Sequence, residues 1–341
     1  MAQLTQGWRG YAGFGKQTSI GTSVAATKFQ TINPNVSMVE TRAGRTRIQA
    51  IRKTQDFAVA TRGRIGTQGS ISGPLMPDEA FQGFCLAMLM GNNNAVSTVD
   101  TSAYEHVFSQ PTPTTTAHYP QAGATMEILP GGSSATTLRD FVGTFAKSMT
   151  LKGSMDGGVI DVDFEMVGVR QDDAGTVSTP TYSTKPPFEA WMMDLKIGSD
   201  LGSLSSVELI DFSIKIDNGV KMLPALNGRT PVDRSFGDFD AQLDFTMWFR
   251  EDLTIYNYFK NETEMAVSFV ITHDSLAGAS SAVYKLKFDF PRVIFDGTPP
   301  NLDSMEEIKH KVTMKALKGT GSDAYTVKIT SVNTESGTYA V

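Results

Sequence analysis

Several stretches of this chain alternate apolar and polar residues with a period of two, the pattern of a strand with one buried face and one wet face. Phe212, Ile214 and Ile216 alternate with Ser213, Lys215 and Asp217. Val162, Phe164 and Met166 alternate with Asp161, Asp163 and Glu165, and Ile308, Val312 and Met314 alternate with Lys309, Lys311 and Lys315. Turn-forming residues at 153–158 and 296–300 predict the reversals that make these runs hairpin arms. A different period marks Phe81, Phe84, Cys85, Met88 and Leu89, which form one helical stripe. Pro77, Asp78 and Glu79 suit the start of that helix, and Gly91 with the asparagines after it suits the end. The stripe predicts a helix resting one face on its sheet. A second helix is predicted over about 251–261.

The pattern runs through the chain twice. Gly44-Arg45-Thr46 recurs as Gly228-Arg229-Thr230, each after a strand-like run at 36–39 and 220–223. Gln68, Ile71, Leu75 and Asp78 are matched in spacing by Gln242, Phe245, Phe249 and Asp252. The helical residues Phe81, Phe84 and Cys85 are answered by Ile255, Tyr258 and Phe259. Internal repetition sets architecture, so it is read before any motif. The reading is mainly β: two tandem related β-sandwich or barrel domains, each with one short flanking helix, long inter-strand loops and terminal arms. The first domain is expected over 1–178 and the second over 188–341. A linker rich in Pro, Ser and Thr spans 179–187 between them.

Composition narrows the function. With 341 residues, 40% hydrophobic and 19% charged, the chain can bury two cores. The formal net charge is −6, against the excess of Lys and Arg expected of a protein that grips nucleic acid. The single cysteine, Cys85, excludes an internal disulfide and a cysteine-based zinc cage. No apolar run reaches membrane-spanning length, and residues 1–5 lack a signal-peptide pattern, so a cytoplasmic, reduced site of synthesis is expected.

Catalysis has no visible carrier. His106, His118, His273 and His310 are scattered without ligand-like spacing. The glycines at 13 and 15 lack the full spacing of a phosphate loop. Cys85 lies in an apolar stripe with no basic neighbour. The expectation is no catalytic residue, no cofactor and no metal.

Two charge patterns remain. Arg42, Arg45, Arg47, Arg52, Lys53, Arg62 and Arg64 face only Asp56 in the segment 42–64, and the corresponding 219–234 keeps Arg229 and Arg234. Apart from Phe57, 42–64 lacks aromatics to stack on bases, which favours contact with an acidic surface of another subunit over a nucleic-acid arm. The row Asp161, Asp163 and Glu165 has a basic counterpart in Lys309, Lys311 and Lys315. These are either two solvated faces, or opposite charges that meet across a subunit boundary and fix register.

The chain also resembles a known family. Gly13-x-Gly15-Lys16-Gln17-Thr18 with Gly21-Thr22, the long loop at 42–64 and the strand-to-helix step at 75–90 carry the likeness. The closing hairpin of 148–153 and 159–168, and Ala316-Leu317-Lys318-Gly319, extend it over most of the chain. Together they are similar to the tail tube proteins (major tail proteins) of long-tailed, non-contractile bacteriophages. The resemblance implies a virion protein assembled in the host cytoplasm into stacked rings, a hollow tube through which genomic DNA passes as cargo. A duplicated chain implies trimeric rings of pseudo-sixfold form. Implied partners are further copies of the chain and other tail proteins (tape measure, tail terminator, tail tip), with no membrane. On this resemblance Asp238, Asp240, Asp244, Asp161, Asp163 and Glu165 are candidates to face the lumen. Arg42, Arg45, Arg47, Arg52, Lys53, Arg229 and Arg234 are candidates to reach the next ring. A β-sandwich receptor-binding or adhesion module, with Trp8, Trp191 and Trp248 as an aromatic platform, is the alternative; a carbohydrate-active enzyme would need a carboxylate pair.

Overall fold

The structure is a computed structural model that describes residues 10–31, 36–43, 47–48, 59–60, 62–91, 94–110, 122–131, 137–173, 175–248, 257–258, 260–278, 281–296 and 309–339. It is mainly β, as the alternation predicts. The chain forms β1 (Tyr11–Lys16), β2 (Lys28–Gln30), β3 (Val39–Ala43), β4 (Arg47–Ile48), β5 (Val59–Ala60), β6 (Arg64–Pro74) and α1 (Ala80–Met90). It continues through β7 (Asn94–Asp100), β8 (Ala103–Ser109), β9 (Ala124–Leu129), β10 (Arg139–Ser154), β11 (Asp161–Gly168) and β12 (Arg170–Asp172). Then follow β13 (Met193–Gly198), β14 (Ser205–Val207), β15 (Leu209–Asp217), β16 (Lys221–Pro224), β17 (Pro231–Ser235) and β18 (Asp240–Trp248). The last strands are β19 (Met265–Leu276), β20 (Val283–Phe295), β21 (Lys309–Ala316) and β22 (Lys328–Asn333).

Every pairing is antiparallel, and the pairings recur. In the order β3-β6-β11-β10-β15-β18-β21-β20 the strands form one main sheet, in which the second four repeat the arrangement of the first four. Behind it, β2-β1-β9-β10-β12 and β14-β13-β19-β20-β22 repeat each other as well. Strands β10 and β20 each serve two sheets. In β10 the change comes at a bulge between Phe141 and Thr144, where Gly143 takes a φ of 66° that a side chain would strain. Among the described residues the hairpin β7–β8 has no counterpart in the second half, and β8 pairs with β22 from that half.

Register corrects one part of the repeat. Val39 lies opposite Gln68 as Lys215 lies opposite Gln242, so β3 stands where β15 stands. The run at 220–223 feeds β16, one element later, and so is not the counterpart of 36–39. The match at 228–230 lies between strands, where the pleat does not constrain it; matched glutamines in paired strands are held by it.

The helix also differs from expectation. Every residue from Phe81 to Met90 is buried, so α1 has no wet face. It is enclosed by β2, β8 and β10, which is the condition under which a helix is apolar all round. Phe81 stacks on Phe14 of β1 with ring centroids 4.6 Å apart, and the ring of Tyr339 lies where a Cβ on Gly83 would be. Gly91 ends the helix in the left-handed region and returns its N–H to the Ala87 carbonyl. The predicted second helix lies mostly outside the described residues; Asn257, Tyr258 and Lys260 are helical.

The 179–187 stretch carries no strand or helix but is pinned at both ends. Ser178 N–H reaches Tyr11 Oη and Glu127, and Phe188 N–H reaches the Leu75 carbonyl. One apolar core runs under both halves, from Ile71 and Phe164 through Ile214 and Phe245 to Phe288 and Phe290.

Candidate functional site

The main sheet buries one face and leaves the other open to solvent except at buried Ser148. Residues directly opposite one another share a face, so the registers give three polar rows across the strands. The first runs Ser72, Asp163, Thr150, Lys215, Gln242 and Lys315. The second runs from Asp161 through Lys152, Ser213 and Asp244 to Thr313. The third holds Ser70, Glu165, Ser148, Asp217 and Asp240. The structure thus brings five sequence candidates, Asp161, Asp163, Glu165, Asp240 and Asp244, onto one surface. Asp238 sits just off it, exposed in the loop between β17 and β18.

This face is interleaved in charge. Lys147 reaches Glu165 at 3.3 Å, and Asp244 accepts from Thr313 Oγ1 at 2.7 Å and from Gln242 Nε2 at 2.8 Å. Lys315 reaches Asp296 at 2.7 Å. Partial burial, with Glu165 close by, raises the Asp163 pKa, and Lys152 works against that rise. Asp217 and Asp240 face each other directly, an unfavourable like-charge pair.

Gln68 lies opposite Val167 and Gln242 opposite Lys315, so Asp161 and Asp163 occupy the places that Lys309 and Lys311 occupy in the second half. The acidic strand β11 is flanked along its length by β6 and β10. It therefore lies inside the sheet and cannot meet a basic strand at a sheet boundary. The opposition in sign is between equivalent strands of one chain.

The cationic loop candidates divide. Arg42 is exposed on β3 and pairs with Glu40 at 2.7 Å. Arg47 lies in β4, which pairs with β5 as a separate two-stranded sheet after β3. Arg45, Arg52 and Lys53 lie outside the described residues. Arg229 and Arg234 are engaged within the chain: Arg229 Nε donates to the Gly63 carbonyl at 3.0 Å, and the Ile65 N–H donates to the Arg229 carbonyl at 2.8 Å. Arg234 lies over the Phe145 ring at 5.6 Å and against Asp233 at 2.8 Å. These contacts brace the β16–β17 hairpin on β6 and β10.

Sequence reasoning missed three features. Buried Asn218 donates to the Leu89 and Ala146 carbonyls and accepts from the Val220 N–H, tying α1 to the end of β15. Buried Glu127 takes bonds from Tyr11, Ser178 and the Ala26 N–H, closing the first small sheet; its polar character within an apolar run was the available signal. The third is the outer edge of β3. Ser37 N–H bonds the Ser70 carbonyl, so alternation turns the N–H groups of Val39 and Thr41 toward β6 and that of Glu40 outward. Among the described residues nothing pairs with that outer edge. On β15, the equivalent edge is covered by residues 148–154 of β10.

Of the three tryptophans, Trp191 is exposed and Trp248 lies under Lys309 at 5.4 Å, while Trp8 is outside the described residues. Among the described residues no cluster of His, Cys, Asp or Glu is arranged to hold a metal ion. No described helix is long and apolar enough to cross a membrane. Cys85 is buried, and burial pushes its thiol pKa well up.

The sequence model of the family described as phage tail tube protein matches residues 7–316 of this chain. A search of curated proteins returned no match.

Proposed function

The chain belongs to the phage tail tube protein family, and from that premise we propose that three copies close into a pseudo-sixfold ring whose main sheets join edge to edge around a DNA conduit. The chain is a structural component of the virion tail. The observation that carries the finer reading is the bare edge of β3. Its counterpart β15 is covered by β10 within the chain, so one junction of the repeat is made internally, and among the described residues the equivalent one is left open. An open strand edge is a template for pairing, and joining edges in a ring removes it. Each copy would then act as two tandem domains, about 1–178 and 188–341.

On this reading the polar rows face the lumen. Their interleaved charges present passing DNA with no continuous cationic stripe, which would bind phosphates and hold them. Equivalent strands of opposite sign, β11 and β21, would alternate around the bore. Rings would stack with the terminator, tape measure and tip proteins completing the tail, and assembly would take place in the host cytoplasm.

Electron microscopy of the purified chain over a concentration series, with mass measured in parallel, tests the assembly. Hollow tubes or rings with mass in multiples of three chains are expected; a closed dimer at every concentration would overturn it. The lumen assignment has its own test. Asp240→Lys combined with Glu165→Lys is expected to leave tube formation intact and slow DNA ejection several-fold in virions. Unchanged ejection would place these side chains elsewhere.

A further inference from the structure

The strongest unassigned features lie at opposite ends of the same strand. One is a groove of about 560 Å³ around the start of β15, lined among others by Met155, Trp191, Met193, Val207, Leu209 and Phe212. Its apolar wall is unusually open: Met155 is 63% and Trp191 64% exposed. The other is the tip of the β16–β17 hairpin beyond the end of β15, where Leu226 is 98% exposed and Leu223 and Val232 are also uncovered. The nine residues of β15 put roughly 30 Å between groove and hairpin.

A single exposed apolar side chain is ordinary, but Leu226 shares one hairpin with exposed Leu223 and Val232, and grouped apolar exposure marks an interaction surface. This tip is also braced: the Arg229 carbonyl and guanidinium are both bonded to the 63–65 backbone, so little ordering is left to lose on docking. Charge agrees with the shape. Carboxylates of Glu189, Asp194 and Glu208 border the groove, with Lys196 on Asp194, while Lys221 and Arg229 are exposed on the hairpin.

We propose that Leu226 of one copy seats in the Trp191–Met155 groove of the next copy along the tube axis. A knob and a hole on opposite ends of one chain make a heterologous contact, which repeats without closing and generates a filament. The inference rests on the tube reading and adds which surfaces carry the stacking contact. Edge pairing at β3 would set the ring, and this contact would set the rise.

Cysteine cross-linking tests it with the knob and groove intact. Asn227→Cys beside the knob and Ser206→Cys at the groove rim are both exposed positions, and buried Cys85 stays silent. After mild oxidation of assembled tubes, the double variant is expected to give a ladder of covalent multimers well beyond the dimer on a non-reducing gel, and each single variant at most a dimer. Leu226→Asp should raise the concentration needed for tubes at least tenfold while ring-sized species persist. Tubes visible by microscopy without a ladder, or tubes of Leu226→Asp at the unaltered concentration, would overturn the docking and leave the tube reading standing. Absence of tubes from the unaltered chain, with no ladder, would remove both.

Discussion

A chain carrying Glu40→Pro is expected to fold and to remain a single subunit at concentrations where the unaltered chain forms rings and tubes. The argument is one of hydrogen-bond direction. In β3 the N–H groups of Val39 and Thr41 are spent on β6, and that of Glu40 points away from the sheet. Proline at 40 deletes that outward donor and puts its ring on the open side, which an edge strand tolerates and a paired strand does not. Within one chain it removes a largely covered carboxylate side chain and its ion pair with the half-exposed Arg42 guanidinium, a contact worth about 1 kcal/mol. Between chains it blocks the pairing register at the middle of a five-residue strand. Glu40→Gln is the control: it loses the same charge, keeps the N–H and should assemble. Sedimentation and microscopy on both variants read the result. Tubes from the proline variant would mean that the ring closes through some other surface.

The sequence disclosed more of this architecture than of its working surfaces, for physical reasons. A strand that buries one face writes its period into composition, so Val162, Phe164 and Met166 and their wet neighbours are legible as β11 without any partner in view. The main-sheet repeat is legible where matched residues lie in paired strands, as with Gln68 and Gln242, and misleading where they lie in loops. Total burial of α1 was not legible, because a stripe of large residues predicts one packed face and says nothing of what Gln82, Gly83 and Ala87 meet behind it. The same limit applies to charge. Arg229 reads as an unattached loop cation until the Gly63 carbonyl, distant in sequence, is seen to accept its Nε–H. Lumen candidates could be chosen by alternation, and five of the six do share a surface, but the lysines among them come from strands whose register no local pattern supplies. The β3 edge and the Leu226 knob are defined by what fails to touch them, and absence of contact leaves no periodicity.

Stability of the single subunit is expected to fall as pH rises from about 4.5 to about 7, because of Glu79. This carboxyl precedes α1, is almost fully buried, and is raised from its ordinary 4.5 to about 7, chiefly by burial. Donation from the Thr31 N–H and hydroxyl to Oε1 opposes the rise, and Asp78 adds to it. Tyr182 lies close enough to feel the Glu79 charge, and Lys285 lines the small cavity beside it. The sign follows from proton binding. Below about 4.5 both folded and unfolded chains hold the proton, and stability does not depend on this group. Between 4.5 and 7 the unfolded chain releases the proton while the folded chain keeps it, so unfolding is increasingly favoured. Above 7 both are ionised and the full penalty is present, about 3 kcal/mol at 1.36 kcal/mol per pH unit. Glu79→Gln keeps the Oε1 acceptor for Thr31 and cannot ionise. It should therefore stabilise the subunit by up to about 3 kcal/mol at pH 8 and change nothing at pH 4. Urea unfolding of the two chains at both pH values, in the assembly-blocked Glu40→Pro background, measures the difference. Equal midpoints at pH 8 would show that the buried carboxylate is compensated by a cation, with Lys285 the nearest candidate to test by substitution.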